Sequence, residues 1–103
     1  MTKYFNRKNA VKESKKSVHV TYRFVEFLPS TLEESVIYIV KDNFAAHKCL
    51  CGCQNKTVMP LCKMGWMLSE HNNKISLSPS IGNYQFPCNS HYAITNSIAN
   101  FIQ

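Results

Sequence analysis

Apolar residues occur in short runs along this chain, and turn-forming residues separate the runs. Residues 18–27 (VHVTYRFVEF) are rich in β-branched and aromatic residues and place apolar side chains on both faces of an extended backbone. Residues 36–40 (VIYIV) are apolar throughout, which is typical of a short strand buried on both faces. We therefore expect a strand at each run, with a loop that contains Pro29 between them.

The middle of the chain continues the same pattern. Residues 56–62 (KTVMPLC) and 65–70 (GWMLSE) predict two strands joined by a tight connection. Residues 71–74 (HNNK) have the composition of a hairpin turn, and residues 75–80 (ISLSPS) predict the returning strand.

The last segments predict a loop and a pair of strands. Residues 81–88 (IGNYQFPC) contain Gly, Asn and Pro and indicate a loop. Residues 91–94 (HYAI) and 98–102 (IANFI), separated by TNS, favour a final β-hairpin, and a C-terminal helix is the competing interpretation. The chain is thus expected to be mostly β, built from short antiparallel strands and hairpins.

Charge divides the chain into a tail and a domain. The 103 residues carry a net charge of +6, and residues 1–17 hold six basic side chains against one acidic one. We expect a flexible basic tail at residues 1–17 and a single domain at residues 18–103. A basic tail is usually a solvated terminus, but clustered Lys and Arg also attract nucleic-acid phosphates or an acidic partner.

The expected cellular compartment follows from the lack of a secretory signal and of a membrane-spanning segment. The basic start is not followed by the apolar segment of a secretory signal, and VIYIV is far too short to cross a bilayer. We expect a cytoplasmic protein without a membrane contact, in which thiols stay reduced. The odd number of cysteines, five, also counts against a closed disulfide framework.

Two short clusters of cysteine and histidine carry the candidate chemistry. Residues 47–53 read HKCLCGC and residues 88–91 read CNSH. Zinc prefers four thiolate or imidazole ligands in a tetrahedron, and ligands separated by two to four residues chelate well from a tight turn. Gly52 lets the first turn adopt a positive φ. The sequence therefore predicts a Zn²⁺ ion that clamps two loops together.

More candidate ligands are present than a tetrahedron needs. We favour a structural ion over a catalytic one, because thiolate-rich sites dampen the acidity of the metal and neither cluster contains an acid. A redox centre is less favoured, because C-x-C-x-C is not the C-x-x-C redox pattern. His47 remains an alternative ligand or a neighbour of the site, and Cys62 is expected to be a free buried thiol. The predicted metal ligands are Cys49, Cys51, Cys53, Cys88 and His91.

The segments AAHKCLCGC, GWMLS and ISLSPSIGNYQFPCNSHYAI, in this order, resemble a family of small uncharacterised bacterial domains to which metal binding is ascribed. The family pattern is His-x-Cys-x-Cys-Gly-Cys, a Trp, Ser-Leu-Ser-Pro-Ser-Ile-Gly-Asn and Cys-x-Ser-His-Tyr, and the resemblance covers about residues 29–102. Within it, we interpret SLSPSIGN as a strand-to-turn segment fixed by Pro79 and Gly82; the alternative is that its hydroxyls hydrogen-bond the metal-bound thiolates. The QNK that follows Cys53 departs from the pattern, in which a Gly is expected.

The resemblance implies a cellular context, because members are often encoded beside ubiquitin-like modifiers and their E1-type and E2-like enzymes. We expect a zinc-binding accessory or adaptor module of such a conjugation pathway, whose surface around Trp66, Tyr84 and Phe86 contacts the modifier or an E1/E2-like protein. Trp66 itself is expected to belong mainly to the core. One alternative is a zinc-dependent, isopeptidase-like hydrolase that removes the modifier. A second is a zinc-ribbon-like nucleic-acid binder that uses the basic tail. The sequence does not decide whether the protein is an enzyme.

Overall fold

The computed structural model describes residues 17–102, in which nine β-strands and no helix are present. The mostly β fold expected from the sequence is confirmed. The predicted basic tail lies outside the described residues except for Ser17, which begins the first strand. Within the described part of the chain, no helix is long and apolar enough to span a membrane. The strands are β1 Ser17–His19, β2 Thr21–Val25, β3 Val36–Val40, β4 Phe44–Lys48, β5 Lys56–Pro60, β6 Met67–His71, β7 Lys74–Gly82, β8 His91–Thr95 and β9 Ile98–Phe101.

The strands form two sheets. One sheet has five strands in the order β1-β9-β8-β7-β6, and all its pairs are antiparallel. The other has four strands in the order β2-β3-β4-β5, and in it β2 pairs with β3 in parallel. We call them the five-stranded and four-stranded sheets.

The main core lies between the sheets, since its buried side chains come from both. Ile37, Ile39 and Met59 belong to the four-stranded sheet, and Ile81 and Tyr92 belong to the five-stranded sheet. All of these are less than 2% exposed. Alternation along each strand sends the other side chains outward, so the outer face of the five-stranded sheet is free to carry polar groups.

Strand β3 is buried along its whole length, as its apolar sequence predicts. Ile37 and Ile39 point into the main core. Val36 and Tyr38 point the other way and pack against Leu32 and Leu28 from the loop at residues 26–35. The loop covers the second face of β3, which explains why this strand needs no polar position.

Two-residue turns close two hairpins, and their residues have positive φ. The HNNK turn is confirmed: Asn72 (φ 52°) and Asn73 (φ 62°) connect β6 to β7. Asn96 and Ser97 likewise connect β8 to β9, which confirms the final hairpin and excludes the competing helix. Positive φ at both central residues gives the turn twist that matches antiparallel strands, and Asn tolerates this conformation better than most residues.

One detail of the expected topology is wrong. Residues 18–27 form not one strand but two, because the chain crosses from one sheet to the other at the buried residue Val20. Strands β5 and β6 are joined by residues 61–66, which carry the chain from the four-stranded sheet to the five-stranded sheet. This link is compact: the Trp66 amide donates to the Pro60 carbonyl at 2.9 Å. A side chain at Gly65 would collide with that same carbonyl, so Gly is required there.

Candidate functional site

A tight turn after β4 gathers three cysteines. The Cys49 amide donates to the Asn55 carbonyl (2.7 Å), and the Gly52 amide donates to the Cys49 carbonyl (3.2 Å). Gly52 has φ of +96°, a conformation that other residues rarely adopt. The turn brings the thiols of Cys49 and Cys51 to 3.5 Å from each other.

The fourth thiol comes from the loop between β7 and β8, residues 83–90. The sulfur of Cys88 lies 3.7 Å from that of Cys49 and 3.7 Å from that of Cys53. The sulfurs of all four residues lie within 4.8 Å of one another, and we call this group the thiol cluster. All five cysteines of the chain are free thiols. The two sequence clusters are therefore brought together through their cysteines: Cys49, Cys51, Cys53 and Cys88.

The spacing of the thiol cluster fits one metal ion. A tetrahedron with metal–sulfur bonds of about 2.3 Å has edges of about 3.8 Å, close to the sulfur–sulfur distances observed. A disulfide would need sulfurs about 2.05 Å apart. Four cysteines on two loops could thus fill all four coordination positions of a metal ion. This is the closed geometry of a structural site.

Polar groups surround the sulfurs and hydrogen-bond to them. The Asn55 side-chain amide donates to the Cys53 sulfur (3.2 Å), and the Asn83 amide lies 3.5 Å from the Cys49 sulfur. The Ser90 hydroxyl lies 3.1 Å from the sulfur of Cys49. Such outer contacts orient metal ligands and stabilise thiolates.

The four thiols do not hold their protons equally. Burial and, to a smaller extent, the hydrogen bond with Cys49 raise the pKa of Cys51 to about 12. Burial also acts to raise the pKa of Cys88, but hydrogen bonds from Ser90 and the neighbouring thiols outweigh it and bring the pKa to about 6. Binding of a metal ion to this cluster would displace protons mainly from the thiols whose pKa is raised, Cys49 and Cys51, and would tighten as the pH rises.

His47 does not belong to the thiol cluster. Its Nε2 lies 2.7 Å from the Tyr92 hydroxyl, and its side chain is completely buried. Burial lowers the pKa of His47 to about 4, so the ring is neutral at pH 7. Its Nδ1 has no hydrogen-bond partner among the described residues. The structure assigns it to a buried polar network beside the cluster.

His91 also lies outside the group of close thiols, and its Nε2 instead contacts a serine. The Ser80 hydroxyl lies 2.7 Å from His91 Nε2 and donates to it when that nitrogen carries no proton. Both side chains are half-buried and lie on the outer face of the five-stranded sheet, since Ile81 and Tyr92 next to them point into the core. We call Ser80 and His91 the Ser–His pair.

A bulge in β7 sets the position of Ser80. Leu77 pairs with Ile94 and Ile81 pairs with Tyr92, so residues 78–80 together face only Ala93. The Ser78–Pro79 peptide bond within this bulge is cis. Bulges re-aim side chains and occur often beside active sites. The SLSPSIGN segment is therefore a bulged strand that passes into a loop after Gly82, and the bulge is the feature that the sequence did not predict.

Sequence reasoning assigned no catalytic role to Ser80 and considered its hydroxyl only as one of those in SLSPSIGN that contact metal-bound thiolates. One signal was available, because Pro79 inside a predicted strand marks a bulge or an edge. The pairing of that bulge with His91, eleven residues later, depends on the register of β7 against β8, which the sequence does not show.

An exposed tyrosine stands beside the Ser–His pair. The Tyr84 ring, 62% exposed, meets the His91 ring edge-on at 5.7 Å between centroids. Gly82 makes this possible, because a Cβ there would lie 2.5 Å from the Tyr84 ring. Glycine thus lets the aromatic ring lie over the end of the strand and against the histidine.

Other residues singled out from the sequence lie elsewhere. Cys62 is exposed, so the expectation of a buried thiol is wrong; it lies in the link between the sheets, which faces solvent. Trp66 packs partly against the main core, as expected. It also lines a cavity of about 340 Å³ with Leu61 and Met67. Phe86 is half-buried in the loop at residues 83–90.

Comparison with known proteins adds a family. No curated protein and no solved structure matches the chain. A family model described as bacterial ubiquitination-like system serine protease (BubE) matches residues 24–102, which include the thiol cluster and the Ser–His pair. The association with a bacterial ubiquitin-like pathway, expected from the sequence, is confirmed at the level of the system. The chain belongs to the BubE family.

Proposed function

We propose that this protein is a serine peptidase of a bacterial ubiquitination-like system, with Ser80 as nucleophile and His91 as general base. The 2.7 Å contact between Ser80 Oγ and His91 Nε2 carries the proposal. A serine hydroxyl is a weak nucleophile until an adjacent base within hydrogen-bond reach accepts its proton. The description of the family, a serine protease, supports the same chemistry.

The proposed reaction is acyl transfer in two halves. Ser80 Oγ attacks the carbonyl carbon of the scissile bond while its proton passes to His91 Nε2. The carbon–nitrogen bond then breaks, and His91 returns the proton to the leaving amine, which leaves an acyl ester on Ser80. Water, deprotonated by His91, hydrolyses the ester and regenerates the serine.

The pair works without an orienting carboxylate in the described part of the chain. Among residues 17–102, the side-chain partner of the His91 ring nitrogens is Ser80. The His91 ring instead contacts Tyr84, and the outer face of the sheet around it is open. An open sheet face suits an extended substrate, such as the end of a ubiquitin-like modifier joined to another chain by a peptide or isopeptide bond.

The thiol cluster has a structural part in this proposal. Its four cysteines hold a Zn²⁺ ion, which joins the turn after β4 to the loop before His91. Thiolate ligands favour zinc, and a reducing cytoplasm would keep them available. The ion ties down the loops, and it takes no part in bond breaking because four thiolates fill its coordination sphere. His91, predicted from the sequence as a ligand, serves as the base.

The test is cleavage of the system's ubiquitin-like modifier joined through its C terminus to a reporter protein. We expect the wild type to release the reporter and a fluorophosphonate probe to label Ser80. In Ser80→Ala, the rates of reporter release and of probe labelling should both fall by at least about a thousandfold. Ser78→Ala is the matched control: this exposed serine of the same bulge has no hydrogen-bonded side-chain partner among residues 17–102, and its variant should cleave and label normally.

Two results would contradict the proposal. One is a Ser80→Ala variant that cleaves as fast as wild type. The other is a wild-type protein that captures the modifier, or an E1/E2-like protein, without cleaving anything or reacting with the probe. The second result would support the accessory module that the sequence predicts. Cleavage that persists in Ser80→Ala and stops on metal removal, with the fold intact, would support the zinc hydrolase.

A further inference from the structure

Asn83 lies between the thiol cluster and the Ser–His pair, and its side chain is completely buried. Its Oδ1 accepts a hydrogen bond from Thr57 Oγ1 on β5 at 2.9 Å. Its Nδ2 reaches three acceptors: the Tyr92 hydroxyl (3.1 Å), the Ser90 hydroxyl (3.2 Å) and the Cys49 sulfur (3.5 Å). One amide therefore contacts both sheets and the thiol cluster.

The three acceptors compete, because a side-chain amide has only two N–H groups. A cysteine that binds a metal is a thiolate, and a charged acceptor draws a hydrogen bond more strongly than a neutral one. When Cys49 binds a metal, its sulfur takes one N–H of Asn83. The other N–H is left for the hydroxyls of Ser90 and Tyr92.

The two hydroxyl partners stand on either side of His91 in the sequence. Ser90 also accepts a hydrogen bond through its backbone carbonyl from the Asn83 amide at 2.7 Å, and this bond extends the β7–β8 ladder by one step. Asn83 directly follows β7, the strand that carries Ser80. Asn83 therefore links the strand that carries Ser80 to both residues that flank His91.

We propose that Asn83 is a positioning residue that couples the thiol cluster to the Ser–His pair, so that metal binding sets the reactivity of Ser80. This inference rests on the proposed function and adds its regulation. Loss of the metal leaves the two hydroxyls free to draw both N–H groups, which loosens the alignment of His91 with Ser80.

The test compares two asparagines that both donate to the cluster. Asn83→Asp keeps the oxygen that Thr57 contacts but removes both N–H donors. Asn55→Asp is the matched control, because Asn55 also donates to a cluster sulfur, that of Cys53, but has no side-chain contact with β8. Each variant is loaded with Zn²⁺ and examined for metal content, folding by circular dichroism, fluorophosphonate labelling and cleavage of the modifier–reporter fusion.

We expect metal-loaded Asn83→Asp to lose about tenfold to a hundredfold in kcat and in labelling rate, with little change in KM and with metal still bound. The NMR signals of the His91 ring nitrogens should move in this variant. Metal-loaded Asn55→Asp should keep the His91 signals of wild type and should lose less kcat than Asn83→Asp. In the wild type, labelling of Ser80 should rise as Zn²⁺ is added.

A second variant protects the test against misfolding of the first. Thr57→Val keeps the shape of a strand residue and leaves the thiols untouched, but it frees the Asn83 amide to rotate. With metal bound, Thr57→Val should lower kcat, as Asn83→Asp does. Equal kcat in Asn83→Asp, Thr57→Val and wild type would overturn the coupling, as would equal losses in Asn55→Asp and Asn83→Asp. If Ser80→Ala still cleaves, the proposed function fails, and the His91 signals test the coupling separately.

Discussion

The thiol cluster and the Ser–His pair share the loop at residues 83–90 but are built differently. The cluster is closed: its four sulfurs face one another, and amide and hydroxyl groups surround them. The Ser–His pair lies on the outer face of one sheet, with an exposed tyrosine beside it. A closed site suits a structural ion, and an open pair suits an incoming substrate. Under the proposed function, stability and chemistry are separated between two neighbouring sites.

The largest effect should come from breaking the thiol cluster. Cys88→Ser removes the only cluster ligand supplied by the loop before β8, so the metal no longer joins the two loops. Zinc binding to structural sites supplies about 10–16 kcal/mol in zinc-finger peptides, comparable to the whole stability of a small domain. We expect the variant to lose its metal and its cooperative thermal transition, measured by elemental analysis and circular dichroism.

Cys62→Ser is the control for this experiment. Cys62 is exposed and is the one cysteine outside the cluster, so its variant should bind metal and melt like wild type. If Cys88→Ser melts at the same temperature as Cys62→Ser, the cluster does not hold the fold together.

A smaller effect is expected from a substitution at His91, which should change cleavage without changing metal binding. His91→Gln removes the proposed base but no cluster sulfur, so cleavage should fall about a hundredfold to ten-thousandfold while metal content and melting temperature stay unchanged. The measurement is kcat alongside zinc content. The sequence predicts the opposite result, because it assigns His91 as a ligand. Loss of metal in His91→Gln would return His91 to the coordination sphere and remove it as the base.

The thiol cluster could be predicted because its signal is local. Cys49, Cys51 and Cys53 lie within five residues, and any tight turn brings such neighbours together. Cys88 joined the prediction through the same logic of residue type and short spacing. His91 was assigned with it because Cys-x-x-His is also a chelating spacing, yet a strand begins at His91 and turns its side chain to the outer face.

The fold was predictable to a similar extent. Apolar VIYIV and the Asn-Asn turn carry their structure in their own residues, and both predictions are confirmed. The break at Val20 and the change of sheet after Pro60 depend on which strands meet, a long-range property. Ser80 belongs to this second class, because only the register of β7 against β8 shows that it faces His91.

The smallest expected effect comes from a substitution at Gly82, next to the open Ser–His pair. Gly82→Ala places a methyl group where the Tyr84 ring now lies, 2.5 Å from its nearest carbon. Because the ring is 62% exposed, it can swing into solvent, so the free energy of unfolding should change by less than about 1 kcal/mol. The Tyr84–His91 contact should be lost, which is visible as a shift of the His91 ring protons in NMR.

If Tyr84 forms one wall of the substrate site, Gly82→Ala should raise KM with little change in kcat, and Tyr84→Ala should do the same. An unchanged KM in both variants would show that substrate approaches the Ser–His pair from another side, whereas a loss of kcat without a change in KM would mean that Tyr84 holds His91 in position.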